Sequence, residues 1–183
     1  MRASVLAFAR EQAARQQRSK AALAEISPSP LPLITAVLSD PCVVAAVAEG
    51  GVVVDMGLGD GRWLFAALEH FGATGKGAVT AVGVEIDAER IVLTRKLMTE
   101  RGLRAASVEI VHADFQQVVV TAAAVVFVYL SREGNRLLSA KLSSELRKGS
   151  IVVAIGFSFS WTKALLNTHK CPATGLPAFI YSM

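Results

Sequence analysis

Short apolar runs alternate with helix-like segments along this 183-residue chain. The alternation predicts strands that are each followed by a helix. The first strand is the run Val52-Val53-Val54, which ends in Asp55, and residues 63–70 behind it predict a helix. Val79, Ala81, Val82 and Val84 predict a second strand over 78–85, ended by Glu85-Ile86-Asp87. A helix over 88–101 follows and is closed by Gly102. Strands over 107–112 and 123–130 come next, then a helix over 134–147 with Lys148-Gly149 as its stop, then a strand over 150–157. Residues 178–181 predict a final strand, and 165–168 a further short one. Upstream, Ser27-Pro28-Ser29-Pro30-Leu31-Pro32 cannot continue a helix. Residues 33–48 predict a helix broken near Ser39-Asp40-Pro41 and ended by Gly50-Gly51.

This order implies an α/β fold with a doubly wound, parallel sheet and helices on both faces. Ligands bind such sheets beyond the carboxyl ends of the strands, near the switch in strand order. Residues 27–183 form one domain, with no repeat or second domain. Residues 1–26 stand apart as an Ala- and Arg-rich helical segment with only Glu11 and Glu25 as acids. That composition suits a mitochondrial targeting segment, or an ordinary helix packed on the domain.

Composition narrows the classes. The chain is 52% hydrophobic and 19% charged, with a net charge of +4. Five of the 19 basic residues and one of the 15 acidic ones lie in residues 1–20, which leaves 14 of each elsewhere. The domain is therefore balanced and has no bulk basic character for nucleic acid. The apolar run 118–130 is too short for a membrane span of roughly 20 residues. Cys42, Cys171, His70, His112 and His169 are scattered and match no metal spacing.

The chemistry concentrates in Asp55-Met56-Gly57-Leu58-Gly59-Asp60-Gly61. Glycines at 57, 59 and 61 allow a tight strand-to-helix turn and bring a ligand against bare main chain. A dinucleotide fingerprint is spaced G-x-G-x-x-G and holds a pyrophosphate, which Asp55 and Asp60 would repel. The same two carboxylates favour a cofactor that carries an ammonium and a sulfonium, S-adenosylmethionine (SAM). A phosphate loop is excluded, because Gly75-Lys76-Gly77 lacks the Ser or Thr after lysine and His70 stands where its first glycine belongs.

Acids follow three successive strands. Glu85, with Ile86 beside it, can accept the ribose hydroxyls, or else be a surface acid at a strand end. Asp114 can accept the adenine amino group while Phe115 covers the ring, or else cap a helix. Asp87 reads as the cap of the next helix.

These residues, with Gly83-Val84-Glu85-Ile86-Asp87 and Ala113-Asp114, resemble the class I SAM-dependent methyltransferases. The likeness is strongest to the small mitochondrial and archaeal protein-lysine methyltransferases. That group includes the enzymes that methylate the ATP synthase c-subunit and the adenine nucleotide translocase. Tyr129-Leu130-Ser131, Asn135, Leu142-Ser143-Ser144-Glu145-Leu146, Lys148-Gly149, Phe157 and Trp161 extend the likeness over residues 27–183. Leu58 departs from it, since the family usually has a small residue there.

The resemblance implies a Rossmann-like, seven-stranded sheet, mostly parallel with a C-terminal antiparallel strand. It implies SAM as cofactor and a protein lysine as acceptor, with a mitochondrial inner-membrane protein as a natural target class. Methyl transfer is an in-line displacement that needs alignment and a neutral amine. Tyr129, at the end of the fourth strand, is the first candidate on the substrate side, or else a core aromatic. Asn135 and Ser131 can meet the incoming amine, or Asn135 can stabilise its helix start. Two other readings stay open: a SAM-dependent enzyme acting on a small molecule or RNA, and an inactive domain that binds a partner.

Overall fold

The computed structural model describes residues 28–48, 50–73, 79–103, 107–161 and 164–183. The N-terminal segment read as helical lies outside them.

Pro30 and Pro32 fix the backbone at the start of helix α1 (Leu31–Leu38), and Asp40 and Pro41 start α2 (Pro41–Ala46). The predicted helix over 33–48 is thus two helices, divided where the sequence placed the break. Strand β1 (Gly51–Met56) leads through the glycine loop into α3 (Arg62–Ala73). Strand β2 (Val79–Glu85) leads into α4 (Ala88–Glu100), whose first turn is capped by the Asp87 carboxylate. Strand β3 (Val108–His112) is followed by a 3₁₀ turn (Phe115–Gln117) and β4 (Ala123–Val128). Helix α5 (Arg132–Glu145) starts two residues earlier than predicted, because the Ser131 hydroxyl accepts the Gly134 N–H at 3.1 Å and caps it. Strands β5 (Ile151–Ile155), β6 (Leu165–Lys170) and β7 (Pro177–Ser182) complete the described chain.

All seven strands form one sheet in the order β3-β2-β1-β4-β5-β7-β6. β1 to β5 are parallel, and β7 inserts antiparallel between β5 and β6. Alternate residues along the central strands serve opposite faces. Val53, Val125, Phe127 and Val153 pack against α1, α2 and α3. Val54, Val126, Val128 and Val152 pack against α5 and Phe115. β4 and β5 are buried throughout, as expected of central parallel strands covered on both sides. The strand order reverses between β1 and β4, so the crevice lies at their carboxyl ends, where Asp55 and Tyr129 emerge.

Candidate active site

The loop after β1 is built on glycine. Gly57, Gly59 and Gly61 have φ of +92°, +57° and +75°, a region that side chains rarely adopt. Two of them are also required by packing. A Cβ on Gly57 would lie 2.9 Å from Leu130, and one on Gly61 2.8 Å from the Phe65 ring. A Cβ on Gly59 would meet nothing nearer than the Gly57 carbonyl at 3.9 Å. The main chain at Gly59 is therefore bare toward open space, the property a ligand-cradling loop needs. The Val84 carbonyl accepts the Gly57 and Leu58 N–H groups at 2.9 and 3.0 Å, which ties the loop to the end of β2.

Glu85 holds the same loop from the side. Its Oε2 accepts the Gly59 N–H at 3.0 Å, and its Oε1 accepts those of Ile86 and Asp87 at 2.8 and 3.0 Å. Arg90 Nη1 stands 4.0 Å from Oε2. Three of the roughly four acceptor positions of a carboxylate are used, so Glu85, the residue expected to meet ribose hydroxyls, is mostly engaged in shaping the loop. Thr94 donates to the Gly59 carbonyl at 3.1 Å, a contact that no local sequence signal announced.

Gly57, Val84, Glu85, Ile86, Ala113, Asp114 and Phe115 line one shallow, open cleft. It brings together residues predicted from three separate strand ends. Asp114 lines the cleft, and its Oδ1 accepts the Gln116 N–H at 2.9 Å to start the 3₁₀ turn. Phe115 is buried behind it.

Asp55 and Asp60 differ in state. Asp55 is 3% exposed. Burial, and then the negative charges of Glu85 and Asp60, push its carboxyl well above the ordinary carboxylate value. Asp60 is half-buried and paired side-on with Arg62 through Nε and Nη2. Burial alone would raise the Asp60 carboxyl, but the Arg62 hydrogen bonds and charge outweigh it and lower it. Asp60, expected beside the cofactor's cation, shares its carboxylate with Arg62. Among the described residues Asp55 has no ion-pair partner.

The far side of the switch has different chemistry. Tyr129 is half-buried, with its ring edge 3.2 Å from where a Cβ on Gly156 would stand. Asn135 is buried, and its Nδ2 donates to the Phe157 carbonyl at 2.7 Å. Its Oδ1 is buried without a partner. Asn135 therefore joins the first turn of α5 to the segment after β5. The Arg132 guanidinium lies over the Phe157 ring, 4.8 Å from its centre. Phe159 stacks on Trp161 at 4.1 Å and sits edge-on to Tyr181, as core aromatics. Leu58, the departure from the expected small residue, is buried with Leu64, Ala81 and Val108. It packs into the space that Gly83 leaves open, away from the cleft lining.

A model of the ANTKMT methyltransferase domain matches residues 55–164, from Asp55 through the segment after β5. The chain belongs to the ANTKMT methyltransferase family. It is a SAM-dependent methyltransferase of the class I fold. A protein-lysine N-methyltransferase of Saccharolobus islandicus (strain REY15A) is 34% identical over 114 residues, 62% of this methyltransferase and 67% of the relative. An RNA methyltransferase from Salinibacter ruber, solved with S-adenosyl-L-homocysteine, superposes with a TM-score of 0.71 at 28% identity, covering 85% of this chain and 93% of that one. The C-terminal domain of precorrin-6Y C5,15-methyltransferase from Rhodobacter capsulatus shares the fold, at a TM-score of 0.56, 18% identity and coverage of 89% and 94%. The bare main chain at Gly59, the buried Asp55 carboxyl, and the largely apolar cleft at the ends of β2 and β3 with Glu85 and Asp114 in its lining fit a cationic nucleoside cofactor.

Proposed function

We propose that this methyltransferase modifies a lysine side chain of a protein. The observation that carries the reading is the contrast across the switch: acids end the strands on one side, and Tyr129 and Phe157 follow the strands on the other. The acidic side suits a polar, cationic cofactor. The aromatic side suits an amine that must lose its charge to react and regain it once methylated, since aromatic faces tolerate a methylated ammonium. The 34% identical protein-lysine N-methyltransferase supports the same acceptor class.

In this reading SAM, when bound, supplies an activated methyl group to the incoming amine. Asp55 takes the ammonium of its methionine part. Gly57, Gly59 and Gly61 provide main chain for close approach, and Asp60 keeps the loop in shape through Arg62. Glu85 and Ile86 take the ribose, and Asp114 and Phe115 the adenine. Tyr129 orients the acceptor lysine, whose free pKa is about 10.4, in surroundings that favour its neutral form. Asn135 acts on the same rim through the Phe157 carbonyl. The N-terminal composition supports a mitochondrial setting, and with it an inner-membrane protein as target.

RNA is the second reading, favoured by the Salinibacter ruber neighbour. The balanced charge of residues 21–183 weighs against it. Incubation with methyl-tritiated SAM, mitochondrial protein extract and, separately, total RNA decides between them. Label on a protein lysine, lost with Asp55→Ala and Glu85→Ala, supports the lysine reading. Label in RNA alone replaces it.

A further inference from the structure

Two consecutive residues at the start of α3 grip one residue far away in sequence. Arg62 Nη1 donates to the Ser29 carbonyl at 2.8 Å, while its Nε and Nη2 hold Asp60 inside the glycine loop. Trp63 Nε1 donates to the Ser29 hydroxyl at 2.9 Å, and its ring stacks on Phe127 of β4 at 4.9 Å. Ser29 is only 1% exposed, although a serine between two prolines would ordinarily lie in open loop. Directly after it, the Pro30 carbonyl accepts the Leu33 and Ile34 N–H groups at 3.0 and 3.2 Å and begins α1.

We propose that Arg62 is a positioning residue that makes the proline segment and the first turn of α1 part of the cofactor site. The inference rests on the reading of the glycine loop as the SAM loop. A planar guanidinium with donors on two edges can hold a carboxylate and a carbonyl at once, which an ammonium on a flexible stem does less well. Asp60 lies between two glycines with positive φ, in a loop with little stiffness of its own, so a rigid link transmits its position. Ligand on the loop and order at residues 29–34 therefore rise and fall together. The same link places a positive charge beside Asp60, whose own negative charge acts on the Asp55 carboxyl.

The test uses the full chain and S-adenosyl-L-homocysteine, which cannot react, with affinity read by calorimetry and amide exchange by mass spectrometry. In the wild type, the ligand is expected to slow exchange both in the glycine loop and at residues 31–34. In Arg62→Ala, affinity is expected to fall about tenfold, and ligand protection of residues 31–34 to vanish while that of the loop persists. Arg62→Lys keeps the charge without the fork and is expected to behave the same way, which covers failure of the alanine variant to fold. Trp63→Phe, which drops only the N–H donor, is expected to give a partial loss. Wild-type affinity in Arg62→Lys, or undiminished protection of residues 31–34, overturns the proposal and leaves the cofactor reading standing. A folded wild-type protein that takes up no ligand overturns both.

Discussion

Asp40 and Asp55 are equally hidden from water, at 2% and 3% exposure, and their carboxyls respond in opposite directions. Asp40 sits between α1 and α2 against the edge strand β6. Its Oδ2 accepts Asn167 Nδ2 and His169 Nε2, each at 2.8 Å, and its Oδ1 accepts the Cys42 N–H at 2.9 Å. Burial alone would raise its carboxyl, yet these hydrogen bonds outweigh it and hold it below the ordinary value. Asp55 ends β1 beside two further carboxylates, and there burial and charge repulsion act in the same direction. Burial raises both carboxyls, and the donors and charges around each acid decide whether that rise is offset or reinforced. A satisfied buried acid serves the fold, as Asp40 does in fastening α1 and α2 to β6. One set among like charges, as Asp55 is, carries an electrostatic cost that a cationic ligand can relieve.

The sharpest way to break this comparison is Asp55→Asn. Affinity for SAM is expected to fall about a hundredfold, ~2.7 kcal/mol. The ligand-free protein should become more stable, its melting temperature rising by a few degrees for about 1 kcal/mol. Calorimetry and thermal melts measure the two effects, and a loss of stability without ligand would place Asp55 with Asp40. Asp40→Ala should do the reverse. Removing the acceptor shared by Asn167 and His169 is expected to cost about 2–3 kcal/mol in denaturant unfolding, with cofactor affinity within twofold of wild type.

The smallest effect is in the pH dependence of ligand-free stability, where the two acids have opposite signs. Asp40 has a lowered folded pKa. Its contribution is complete above the unfolded value of about 3.9 and disappears as the pH falls through the folded value. Asp55 has a raised folded pKa. Its contribution is complete below about 3.9 and is lost as the pH rises through the folded value. Wild type and Asp40→Asn should therefore converge at acid pH and separate above it, with wild type the more stable. Wild type and Asp55→Asn should also converge at acid pH, but separate with wild type the less stable. Binding of a cation should in turn release a proton from Asp55, seen as a buffer-dependent heat in calorimetry.

The two acids also differ in how they could be read from the sequence. Asp55 was legible because its setting is local: an apolar run, a carboxylate and three glycines within ten residues. The strand ends at Glu85 and Asp114 were legible for the same reason, as was the break between α1 and α2. Asp40 was legible only as a helix break, because its partners lie 127 and 129 residues away and looked like scattered polar residues. Arg62 directly follows the glycine motif in sequence, but its grip on Ser29 spans 33 residues and leaves no local mark. Asn135 was placed near the acceptor, yet its bond to Phe157 depends on how far the segment after β5 folds back. Sequence reasoning followed the fold where one turn of chain does the chemistry, and lost it where distant segments meet.

Leu58 and Gly83 constrain how this chain can change over generations. A methyl group at position 83 would lie 2.6 Å from Leu58 Cδ1, and Gly83 pairs across the sheet with Asp55. The positions form an epistatic pair, in which the order of substitutions matters. A smaller residue at 58 first opens a void that alanine at 83 can then fill. Alanine at 83 first forces Leu58, and the loop that carries it, away from β2. Lineages that keep the bulky residue at 58 are thus bound to glycine at 83, and exploration of this loop must begin from the side chain that faces the core.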